Sequence, residues 1–136
     1  PGAMENTQEN ENNHSLVLRL VYRDTAFLLT GDIEREGMRE VLSSGVNFGN
    51  QVFKVPHHGS VYGLDREFLD RVGAKAAVIS VGSNRFGHPA PDILRYWQEK
   101  NLPLFRTDEK GAIIVTSDGE QLEVTTQLEG VKYGCQ

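Results

Sequence analysis

With 136 residues the chain is long enough for one domain with a core of its own and too short for two comfortable ones. Acidic residues outnumber basic ones by 19 to 14, for a net charge of −5, and the basic ones are scattered, so no Lys/Arg face exists to track a nucleic-acid backbone by charge alone. One cysteine, Cys135, excludes an intramolecular disulfide and a thiolate-rich metal site, which leaves oxygen and imidazole as the available metal ligands.

No apolar run approaches the roughly 20 residues of a membrane-spanning helix, and no basic segment followed by an apolar one opens the chain. Pro1-Gly2-Ala3-Met4 reads as a cloning remnant. The stretch from Glu5 to Asn13 has no apolar residue to offset ordering entropy, so residues 1–13 are expected to form a polar, mobile lead-in. The folded part is expected over residues 14–128, with residues 129–136 as a C-terminal tail.

Its first strand is "SLVLRLVY", where Leu16, Leu18 and Leu20 alternate with Val17, Arg19 and Val21. After the turn Arg23-Asp24-Thr25, "AFLLT" is apolar on both faces, as in a strand covered on both sides, and the two strands predict a hairpin. Ile33, Met38, Val41 and Leu42 recur at helical spacing, with Asp32 placed as the cap and Gly45 as the stop. "QVFKV" predicts the next strand. "LDREFLDRVG" predicts a helix capped by Asp65, stapled by Leu64 and Leu69 and ended by Gly73. "AAVISV" reads as a buried strand, and "PDILRYWQEKN" as a helix that starts on Pro91 and stops before Pro103. Three more strand candidates follow, "LPLFRT", "GAIIVTS" and "QLEVTTQ", the last two joined by the hairpin signal Asp118-Gly119. The order predicts an α/β fold, a mixed sheet with about three helices on one face and a second face that also needs covering.

Polar residues gather where strands run into loops: Thr30-Gly31-Asp32, His57-His58-Gly59-Ser60, Asn84-Arg85 and Gly87-His88-Pro89. If the strands before Asp32, His57 and His88 lie side by side, their C-terminal ends share one rim of the sheet, bringing a carboxylate and several imidazoles together. Such a set suits divalent metal: carboxylate oxygen can bridge two ions, and neutral imidazole binds zinc, manganese or iron. Adjacent side chains of an extended chain point to opposite faces, so His57 and His58 share a site only if the backbone turns between them, as Pro56 and Gly59 allow. One histidine then faces the site while the other holds its neighbours or shuttles a proton, and Ser60 bonds a loop carbonyl or a phosphate. The plainer readings make Asp32 a helix cap, the histidines loop residues, Arg85 an exposed loop residue and Trp97, Tyr96, Phe27, Phe53 and Phe68 core.

Taken in order, "NNHSLVLRLVYRDTAFLLTGDIE", "FKVPHHGS", "AVISVGSNRFGHP" and "LFRTDEKGAIIVTSDG" resemble the C-terminal half of the metallo-β-lactamase-like domain of the ComEC family of DNA-uptake channel proteins, from Asn12 to about Thr126. The resemblance implies one αβ half of a four-layer αββα hydrolase, with two Zn or Mn ions held between the sheets of the complete domain. Asp32 matches the aspartate that bridges the ions, His57 and His88 the histidines nearest them, and His58 and Ser60 a supporting catalytic shell. It leaves open which of His57, His58 and His88 are direct ligands. The implied parent is a bacterial inner-membrane protein whose extracytoplasmic domain degrades the DNA strand that is not imported. The main metal signature of that fold, HxHxDH, is absent, since the four histidines stand at 14, 57, 58 and 88. This chain alone is therefore expected to bind metal weakly and to hydrolyse little. Its expected partners are DNA in the full-length protein, the missing N-terminal half of the domain, and a second copy through an uncovered apolar sheet face; insertion of this segment into a membrane is not expected. Two alternatives stay open: a non-catalytic interaction or dimerisation module, and a hydrolase of another phosphoester or thioester.

Overall fold

The structure is a computed structural model that describes residues 10–49, 52–128 and 132–135. Strands β1 (Leu18–Tyr22) and β2 (Thr25–Leu29) form the expected antiparallel hairpin, with Leu18 opposite Leu29 and Leu20 opposite Phe27. Three further strands, β3 (Val52–Lys54), β4 (Ala76–Ile79) and β5 (Leu104–Arg106), add in parallel, giving the order β1-β2-β3-β4-β5. Parallel neighbours need crossovers. Helices α1 (Arg35–Ser43), α2 (Arg66–Val72) and α3 (Pro91–Lys100) supply them.

All three helices cover the same face, as expected. Leu28, Phe53 and Ala77 lie in register along that face, and Met38, Phe68, Val72, Ile93 and Trp97 close over them in one buried cluster. The Phe53 ring is its centre, 6.3 Å from Phe68 and 5.9 Å from Trp97 between ring centroids. Helix α2 begins as the sequence predicts: Asp65 Oδ1 accepts from the Phe68 N–H at 3.0 Å, and Gly73 ends it at φ +60°. Asn101, at φ +52°, gives α3 the same kind of stop, before Pro103 is reached.

The start of α1 corrects an expectation. The helix begins three residues after Asp32, with Glu34 in the capping position and no side chain of its own bonded there. The cap comes from Asn13, whose Oδ1 accepts from the N–H groups of Glu34 at 2.9 Å and Gly37 at 3.1 Å. Asp32 is thereby free of capping, and the end of the lead-in, Asn10–Asn13, is bonded to the fold. Residues 1–9 of that lead-in, Pro1-Gly2-Ala3-Met4 among them, lie outside the described residues.

The last strands do not extend the first sheet. After a short helix α4 (Thr107–Lys110), β6 (Ile113–Ser117) and β7 (Leu122–Thr126) pair through the Asp118-Gly119 turn. Strand β8 (Lys132–Cys135), inside the segment taken as a tail, joins β7 to make a second, antiparallel sheet. Its residues Ile113, Val115 and Val124 pack on Ala76, Val78 and Phe105, covering the β4–β5 half of the face opposite the helices. The β1–β2 half stays open: Leu18 is 48 % and Leu20 55 % exposed, and Phe27 and Leu29 across from them are also partly in solvent. Strand β2 is thus covered fully on the helix side only, because the second sheet meets it only at its first residue, where the Thr25 and Ser117 hydroxyls bond at 2.8 Å. No helix among the described residues is long and apolar enough to cross a membrane.

Candidate functional site at the carboxyl rim of the parallel strands

Strands β2, β3 and β4 are neighbours and parallel, so the loops leaving their C-terminal ends emerge side by side. Asp32 follows β2, the His57-His58 pair follows β3 and His88 lies in the loop after β4, and the three loops are tied together. The His57 N–H donates to the Gly31 carbonyl at 3.2 Å, and the Ala90 N–H donates to the Gly59 carbonyl at 2.8 Å.

The two adjacent histidines share the site because the backbone turns there. His57 and His58 both adopt left-handed conformations, with φ of +47° and +53°, and Gly59 follows at +80°. Each such non-glycine residue costs about 1–3 kcal/mol and persists only where its surroundings impose it. The Gly31 and Gly59 bonds, with the Ser60 N–H donating to the His57 carbonyl at 2.8 Å, are those surroundings. The imidazoles that result are 6.5 Å apart between centroids, and His57 lies 5.5 Å from His88.

Each imidazole has a different setting. His58 Nδ1 sits 2.7 Å from the Ser80 carbonyl oxygen, which can only accept, so Nδ1 carries the proton. In the neutral ring this leaves Nε2 with a lone pair, and Nε2 lies 3.7 Å from Asp32 Oδ2. Asp32 itself is partly exposed at 39 %, and its N–H donates to Ser15 Oγ. His57 Nδ1 is buried 3.1 Å from Glu34 Oε1, yet the angle between them does not make a hydrogen bond, so this nitrogen is unsatisfied among the described residues. Burial first, and then the neighbouring His57 and His58, hold the His88 imidazole below the ordinary range, which favours its neutral form. At the end of β3, burial lowers the Lys54 ammonium while Asp32 acts in the other direction.

Ser60 is placed inside the turn. It is buried, and its Oγ accepts from the Tyr62 N–H at 3.3 Å. Asn84 is the brace of the third loop: its Oδ1 accepts from the N–H groups of Phe86 and His88, and its Nδ2 donates to the carbonyls of Gly82 and His88. Two residues at the rim escape sequence reasoning. Glu34, which faces His57 and accepts from Asn12 Nδ2 at 2.9 Å, was masked by its position in the acidic first turn of a helix. Phe86, 70 % exposed and stacked on His88 at 5.9 Å, has no periodic pattern to mark it.

The donor set is the kind that hard and borderline divalent metals use: a carboxylate, imidazoles, and one buried nitrogen with no hydrogen-bond partner among the described residues. Asp32 with His58 Nε2 makes one adjacent pair of donors, and His57 with His88 a second. Among the described residues, however, no group of three or more His, Cys, Asp or Glu side chains is disposed to hold one ion. A cleft lined by Asn10, Asn13, Glu34 and Tyr62 opens beside the rim at Glu34, while others run along the β6–β7 hairpin and between Val17, Leu28 and Val46.

No family model and no solved structure matches the chain. Three proteins are similar to it by sequence. ComE operon protein 3 of Bacillus subtilis is 39 % identical over 105 residues, which is 76 % of this chain and 14 % of that protein. Competence protein ComA of Neisseria gonorrhoeae is 34 % identical over 106 residues, again 76 % of the chain and 15 % of that protein. The uncharacterized protein YcaI of Escherichia coli is 26 % identical over 133 residues, 94 % of the chain and 17 % of that protein. The chain is therefore similar to one segment of much longer proteins, spanning about a seventh of their length, and one of these is named a competence protein.

Proposed function

We propose that this chain is part of a divalent-metal-dependent hydrolase domain, of metallo-β-lactamase type, that cleaves DNA phosphodiesters within a longer DNA-uptake protein of natural competence. The observation that carries the reading is the gathering of Asp32, His57, His58 and His88 on one rim, imposed by two consecutive left-handed histidines, in a chain kin to competence proteins.

In this reading Asp32 and the imidazoles supply one side of a site for two Zn or Mn ions. Bound there, the ions would activate water and neutralise charge on the phosphoryl oxygens. His58 has the arrangement usual for a ligand, one ring nitrogen fixed by a carbonyl and the other left bare beside a carboxylate. His57 and His88 stand beside it, with Glu34 placed to orient His57. Ser60 serves by holding the turn that carries the two histidines. Because these donors do not complete a site on their own, this chain in isolation is expected to hydrolyse little.

The reading is tested on the longer protein, purified and supplied with Mn²⁺ or Zn²⁺. DNA cleavage is expected, abolished by chelation and by Asp32→Asn. DNA left intact with either ion, together with normal transformation in cells carrying Asp32→Asn, would sink it.

A further inference from the structure

A feature of the third loop goes beyond a metal site. Phe86 is a large aromatic that packs against no core: its ring is 70 % exposed and lies flat on His88, with 5.9 Å between centroids and 25° between planes. The Arg85 guanidinium lies over the same ring, 5.6 Å from its centroid. Solvent exposure of a phenylalanine ordinarily goes with a pliable loop, but this loop is fastened. The Asn84 side chain makes four hydrogen bonds across it, at 2.8 to 3.1 Å, to the backbone of Gly82, Phe86 and His88. An apolar ring is thus held largely in water next to the candidate site, and the core gains nothing from it.

Charge supplies the second part. A chain of net charge −5 with scattered basic residues lacks the electrostatic track with which most proteins grip nucleic acid. Stacking is the other way to hold a strand: a base laid on an aromatic face contributes without any phosphate contact, and an adjacent arginine adds to it. Bases inside a duplex already have both faces covered, so only an unpaired base can use such a ring.

We infer that Phe86, flanked by Arg85, is a stacking platform for an unpaired base of single-stranded DNA, which sets the neighbouring phosphodiester against the Asp32 and histidine rim. The inference rests on the proposal that DNA is the substrate. It makes Phe86 a positioning residue that selects single strands over duplex.

The test measures binding of this chain to fluorescently labelled oligothymidylate of roughly 12 nucleotides, a length within the usual single-strand site size. It is compared with an abasic strand of equal length, which keeps every phosphate, and with a duplex. Wild type is expected to prefer the oligothymidylate over both. Phe86→Ala should weaken that binding about tenfold and erase the preference over the abasic strand. Phe86→Trp should restore it, with its added indole emission quenched on binding; Trp97 is fully buried and gives a constant background that also reports folding. If Phe86→Ala binds as wild type does, or the abasic strand binds equally well, the platform is refuted while DNA remains the substrate. If wild type binds none of the three at millimolar concentration, the platform is refuted, and the DNA reading is decided separately by the cleavage assay on the longer protein.

Discussion

Replacing Phe53 with alanine is expected to cost about 3–5 kcal/mol of folding free energy. The ring is fully buried at the centre of β3, in contact range of Phe68 and Trp97, with α2 and α3 packed over it. Strands paired on both sides of Phe53 and helices packed over it limit collapse into the space, so a cavity adds to the lost transfer energy. A domain of this size has only about 5–15 kcal/mol in total, so the variant should be largely unfolded in mild urea. The contrast is Phe27→Ala, on the half-open face of β2, expected to cost about 1 kcal/mol or less. Urea unfolding followed by Trp97 emission measures both. Equal costs at the two positions would mean that the helix-covered face is not the core.

Gly59→Ala should be nearly as damaging, through a different cause. At φ +80° a side chain is strained, and its Cβ would come within 2.7 Å of Pro89 Cβ and 3.2 Å of Pro89 Cα. Because the Gly59 carbonyl also accepts from the Ala90 N–H, the only relief is to part the histidine pair from the His88 loop. A loss on the order of 3 kcal/mol is expected. The informative readout is spectroscopic: the imidazole resonances of His57, His58 and His88 should shift together, while that of exposed His14 does not. A variant of unchanged stability and unchanged imidazole shifts would show that the two loops are not coupled as described.

Much of this was legible in the chain. Hairpins, helices and the shared rim followed from periodicity, from Asp65, Gly73 and Asp118-Gly119, and from the rule that parallel strands deliver their loops to one edge. What escaped reading depends on contacts distant in sequence. Asn13 caps a helix that starts more than twenty residues later, so Asp32, the nearest capping type, took its place on paper. The second sheet is set by packing of Val124 and Ile113 on Phe105, which no local pattern records. "AFLLT" is apolar on both sides whether one face is covered or two. Glu34 was hidden by having a second, commoner reason to be where it is. The left-handed histidines were foreseeable only as a requirement: the pair had to turn if it was to share a site.

The claim on which the functional account turns is that Asp32 and the imidazoles of His57, His58 and His88, brought together by three loops, line a site for divalent metal. Titrating this chain with substoichiometric Mn²⁺ and following imidazole proton resonances tests it directly, because paramagnetic broadening falls steeply with distance and needs no catalysis. Selective broadening of His57, His58 and His88, lost in Asp32→Asn and sparing His14, is the predicted result. Broadening spread evenly over all four histidines, or absent from the three at the rim, would contradict it.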